Sequence, residues 1–89
     1  MNNFNDVMKT YFDQLEIDPI EFIYNEKTNK YITSKSFQNN EDDPEAYYLV
    51  VKMINNIGNV LIGTSDGINF TEIEMLGQIM IQDDKWINL

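Results

Sequence analysis

The apolar pattern of this chain changes period at Asp18-Pro19, and that change constrains the fold more than any other feature. Before it, Phe4, Val7, Met8, Tyr11, Phe12 and Leu15 recur at the i, i+3, i+4 spacing that gives a helix one apolar stripe. The spacing predicts a helix over residues 3–16. Asn2 or Asn3 can cap it, and Asp6 lies in its first turn, where the helix dipole favours an anion. Asp18-Pro19 predicts its end, because a residue before proline avoids the helical region.

After Pro19 the apolar and β-branched residues come in short runs separated by polar turns. Ile20–Tyr24 and Lys30–Phe37, joined by the polar turn 26–30, read as a hairpin, with a helical turn near 21–27 as the alternative. Residues 38–45 (QNNEDDPE) read as a polar loop. Tyr47–Ile54 is the strongest strand; it is apolar on both faces and so belongs in the middle of a sheet. Asn55–Gly58 predicts a turn, Asn59–Thr64 a returning strand, and Ser65-Asp66-Gly67 another turn. Residues 68–76 (INFTEIEML) fit a strand, a short helix or an irregular link. Gly77–Gln82 is a strand, Asp83-Asp84 a turn, and Lys85–Leu89 a last short strand or tail. The expected fold is α+β: one N-terminal amphipathic helix packed on a five- or six-stranded antiparallel meander, forming a single domain over 1–89.

Composition narrows the chemistry. The 89 residues carry fifteen Asp and Glu against six Lys, a net charge of −9, with no Arg, His or Cys. Thiol nucleophiles, disulfides, histidine triads and the usual zinc ligand sets are therefore missing. A direct nucleic-acid binder needs a basic face, and this charge has the opposite sign. An acidic chain attracts a basic protein partner instead. No apolar run approaches the ~20 residues needed to span a bilayer, and the N-terminus has no signal-peptide pattern. The expectation is a protein of a reducing, cytoplasmic compartment, not an enzyme, without cofactor or metal.

Several features compete for a functional role. Glu41, Asp42, Asp43 and Glu45 can imitate a row of phosphates, although a charge run is most often a solvated loop. Their spacing lacks the alternating ligands and sharp glycine of a calcium loop. Thr64–Phe70 is similar to the Asp-box turn of sialidase-like propellers, but a single copy cannot build a propeller. Tyr31, Phe37, Tyr47, Tyr48 and Trp86 fit core packing better than base stacking, since no basic groove surrounds them.

Three stretches in order and at matching spacing resemble the phage uracil-DNA glycosylase inhibitor family of small acidic DNA mimics. They are Asn3–Met8, then Asn59–Asp66 with the strand Tyr47–Met53 before it, and finally Ile81-Gln82-Asp83. The resemblance covers about half the chain. It implies an inhibitor, phage-encoded and acting in the bacterial cytoplasm, that occupies the DNA groove of a uracil-DNA glycosylase. It implies that an edge strand carries a key acid, here Glu21, with Glu26 and the 41–45 acids adding charge. It also implies an apolar pocket for one enzyme side chain, lined here by Tyr48, Leu61 and Met80, with a further pocket position falling on Gly63. The family's second, Glu-rich helix has no equivalent in residues 25–45. An immunity or antitoxin-type protein, or an adaptor for another basic protein, is the alternative that the same composition allows.

Overall fold

The computed structural model describes residues 3–38 and 42–89. Its elements are α1 (Phe4–Leu15), β1 (Phe22–Asn25), β2 (Lys30–Thr33), β3 (Tyr48–Ile54), β4 (Ile57–Ser65), β5 (Phe70–Gln82) and β6 (Lys85–Asn88). All strands pair antiparallel in chain order, β1-β2-β3-β4-β5-β6, so the sheet is a six-stranded meander with β3 and β4 at its centre. This is the expected α+β arrangement.

Asn3 is the cap of α1. Its Oδ1 accepts from the Asp6 N–H at 2.9 Å, and the Asp6 carboxylate accepts from the Asn3 N–H at 3.2 Å, a reciprocal capping box. The helix stops earlier than the proline predicts. Glu16 turns left-handed at φ 59, its N–H donates to the Asp13 carbonyl, and the Ile17 N–H donates to the Phe12 carbonyl at 3.1 Å. That pair of bonds is a Schellman closure, which satisfies the terminal carbonyls before Pro19 is reached.

The helix stripe lies in the trough of the sheet. Val7, Met8, Tyr11 and Phe12 pack with Leu49, Val51, Val60, Ile62 and Ile79, and Ile20 closes one end. The trough is deep. Tyr31 on β2 and Trp86 on β6 approach to 6.1 Å between ring centroids although β3, β4 and β5 lie between their strands. A flat sheet would hold them roughly 19 Å apart at the ordinary strand spacing. Phe4 fills the gap, stacked on Tyr31 at 4.2 Å and edge-on to Trp86 and Phe22, each at 5.1 Å. Gly77 lets the helix settle this closely: a Cβ there would stand 2.6 Å from the Tyr11 hydroxyl.

Several boundaries differ from the sequence expectation. β2 ends at Thr33, short of Phe37, which makes only an isolated bridge to Tyr47. The β3–β4 turn is only Asn55-Asn56, with Asn55 left-handed at φ 56, and Gly58 lies inside β4 opposite Met53 and Ile79. Residues 70–82 are one strand, β5, of 13 residues. Two register shifts interrupt its ladder with β4, leaving Ile73 and Leu76 as extra residues. Such bulges break the two-residue alternation on which sequence reading of a strand depends. Asp83 and Asp84 are both left-handed, at φ 51 and 61, as a tight two-residue hairpin turn requires.

Three substitutions test this packing and the helix end. Phe12→Ala should cost about 3–5 kcal/mol in denaturant unfolding, and Phe4→Ala should also red-shift the emission of Trp86, the single tryptophan. Glu16→Gly should stabilise by about 1 kcal/mol, since it relieves left-handed strain and removes an acid from the negative end of the helix.

Candidate functional site

The sheet has a second face that the helix does not cover. Pairing and alternation place Ile23, Ile32, Val50, Leu61 and Met75 in one row across five strands on that face. Val50 and Leu61 are each only 2% exposed, whereas Ile23 and Met75 are more than half exposed. Burial in the middle of an uncovered face needs a cause, and the β4–β5 hairpin provides part of it. Its tip curls back so that Phe70 lies over Gly63, where a Cβ would stand 2.6 Å from the end of the ring. The wall that glycine omits is thus replaced by an aromatic ring from the next strand.

The curled tip bounds a groove of about 270 Å³. Ile32, Val50 and Phe70 form its apolar floor, Asn25, Thr28 and Lys30 stand on one side, and Ser65, Gly67 and Ile68 on the other, so the rim is polar and includes one lysine. Ile68 is 89% exposed, so this rim offers an isoleucine to solvent. The tip is held by its own polar residues. The Asp66 carboxylate accepts from the N–H groups of Ile68 and Asn69 at 2.8 and 2.7 Å, and the Ser65 hydroxyl accepts from the Gly67 N–H at 3.1 Å. The bonds from Asn69 and then Ile68 hold the Asp66 carboxyl below its ordinary pKa. The Asp-box-like segment is therefore a hairpin tip in this chain.

The three predicted pocket residues all point to the open face but do not converge. Tyr48 pairs with Gly63 and is a diagonal neighbour of Leu61, which pairs with Val50. Met80 pairs with Ile57 at the far end of β4. Six residues separate that position from Gly63, roughly 20 Å of strand. Leu61 is buried, Tyr48 and Met80 half-buried.

The predicted acids fall at two ends of the sheet. Glu21 precedes β1, where its carbonyl accepts from the Ser34 N–H at 2.7 Å, and its side chain is exposed. Glu26 is exposed in the β1–β2 turn at the opposite end of that edge strand. Five residue steps separate the two, roughly 17 Å of extended chain. Asp42, Asp43 and Glu45 belong to the loop before β3, at the Glu21 end; Glu41 lies outside the described residues. Asp43 is tied down, since its carboxylate accepts from the Tyr47 hydroxyl and from the Glu45 N–H, the latter at 3.0 Å. The Tyr47 hydrogen bond, then the backbone bond, hold Asp43 below its usual pKa, and the same bond raises Tyr47.

Among the described residues no three acids gather as a metal cage, and no helix is long and apolar enough to cross a membrane. The sequence did not identify Ile32, Val50, Ile68 and Phe70 as a groove. The acids within INFTEIEML break its apolar run, although Phe70 and Met75 carry the strand signal. Comparison with family models, with curated proteins and with solved structures finds no match.

The Asp43–Tyr47 bond has a pH signature. A carboxyl whose folded pKa is depressed stabilises the fold above its unfolded pKa of about 4, and that contribution is lost as pH falls through the folded value. A tyrosine whose folded pKa is raised stabilises below about 10 and loses that contribution as pH rises through the folded value. Tyr47→Phe should therefore flatten the melting temperature against pH at both extremes, and Asp43→Asn should flatten it at the acid end.

Proposed function

We propose that this chain is a small acidic inhibitor that occupies the DNA-binding groove of a basic host protein, with uracil-DNA glycosylase as the first target to test. The observation that carries the reading is the uncovered sheet face: a groove with an apolar floor and a polar rim that includes Lys30, flanked by an edge strand with exposed carboxylates at both ends, on a chain of charge −9. The separation of Glu21 and Glu26 supports it. Roughly 17 Å of extended chain matches about five base-pair steps measured along a DNA helix axis at ~3.4 Å each. Carboxylates placed this way meet the lysines and arginines that normally hold phosphates.

The two parts of the surface do different work. The acids act at a distance, speeding encounter and fixing orientation, and salt screens them. The apolar groove acts on contact. It takes an apolar side chain out of water, and such a buried anchor sets how long a complex lasts. The action is stoichiometric, with no catalytic step and no cofactor. The resemblance over Asn3–Met8, Asn59–Asp66 and Ile81-Gln82-Asp83 gives the reason to start with a glycosylase. A basic toxin or other DNA-binding protein would use the same surface.

The test is uracil excision by a bacterial uracil-DNA glycosylase with and without an equimolar amount of this protein. Inhibition through a stable complex is expected; full activity and no complex would overturn the glycosylase as target. Within a complex, Glu21→Lys should slow association about tenfold at low salt, with the effect shrinking as salt rises. Ile68→Asp should instead speed dissociation about tenfold. Both residues are exposed, so neither substitution should move the melting temperature.

A further inference from the structure

β5 is a long strand with a partner on only one side for much of its length. β4 pairs with it from Phe70 to Met80, whereas β6 pairs only with Ile79–Gln82, and the Leu89 N–H reaches the Gln78 carbonyl at 3.0 Å. Among the described residues nothing pairs with the other edge of Phe70–Gly77. Backbone donors and acceptors on such an edge are a ready template for a further strand. The side chains here are Thr71, Glu72, Ile73, Glu74 and Met75, all exposed, with Ile73 at 57% and Met75 at 54%.

We propose that this edge docks an extended segment of a partner protein that alternates lysine or arginine with apolar residues, added as a strand beside β5. Charge selects this occupant over a second copy of the chain. An antiparallel two-fold pair centred on Ile73 would set Glu72 opposite Glu74 on both sides, and like charges placed across a strand pair repel. Each copy would also bring a net charge of −9. Glu72 pairs with Gly63 on the open face and Glu74 with Ile62 on the helix side, so acids stand on both faces of the edge. A basic strand is met by a carboxylate whichever way its side chains alternate. Ile73 and Met75 supply the apolar contacts between those charges.

The edge is distinct from the β1 edge that carries Glu21, at the other side of the sheet. The proposal does not rest on the glycosylase reading, and its test does not use that enzyme. The probe is the blocked peptide Lys-Val-Lys-Ile-Lys-Val-Lys, titrated into isotope-labelled protein at low salt and followed by amide resonances and hydrogen exchange. Amides of Thr71–Gly77 should shift, and those on the vacant edge should gain at least about tenfold protection from exchange. The double substitution Glu72→Lys with Glu74→Lys should weaken that peptide at least about tenfold and admit the matching glutamate peptide, which the unaltered protein should refuse. Both positions are exposed, and the glutamate peptide tests the unaltered protein directly should the double variant fold poorly. Shifts confined to the groove residues Ile32, Val50 and Phe70, equal binding of both peptides, or no binding up to about 1 mM would overturn the proposal.

Discussion

The fold depends on one contact, the insertion of Phe4 between Tyr31 and Trp86. A sheet of six short strands has two faces and one helix to cover them. A flat sheet would leave the outer strands bare. Curling around the helix lets the stripe Val7, Met8, Tyr11 and Phe12 fill the middle of the trough while Phe4 seals its open end. Strand twist makes the curl possible, and aromatic packing selects how far it goes. A chain of this length buries only about 60–65% of its unfolded surface, so little apolar area is left over for the second face. That face is accordingly covered by the chain's own hairpin tip, and only in part.

Much of this architecture is legible in the sequence because local and long-range signals agree. The stripe before Pro19 gives the helix and its buried face, and the doubly apolar run Tyr47–Ile54 gives the central strand. Where signals conflict, the reading stops short. Glu16 ends the helix through a left-handed residue that no propensity favours, so the proline looks like the terminator. Two extra residues in β5 destroy its alternation, and the acids beside them hide a 13-residue strand as a link. Hairpin curl is a tertiary effect. Nothing local to Phe70 says that its ring will rest on Gly63.

The candidate site is legible to a different degree. Family resemblance and residue type group Tyr48, Leu61 and Met80, and the strand pairing places all three on one face. They do not give position along the strand, and there the three part company: Leu61 lies near the groove, while Met80 sits beside Ile57 at the far end. The acids follow a similar logic. Glu21 and Glu26 flank one edge strand as a local reading suggests, but Asp43 is engaged by Tyr47 and so is less free to meet a partner than its exposed neighbour Glu45. The bond leaves the Asp43 charge in place and fixes where it sits.

The meander itself explains why recognition surfaces gather at the edges and on the uncovered face. In a sheet paired in chain order, the first and last strands have no neighbours beyond them, and β6 is too short to shield all of β5. Exposed edges invite aggregation unless they are charged or bulged. Glu21 and Glu26 bracket one edge; Glu72 and Glu74 mark the other. The features that prevent this chain from pairing with itself are the same features that give it a sign preference for others. Acidity discourages a second acidic copy, attracts a basic surface, and leaves the apolar groove to decide which basic surface stays bound.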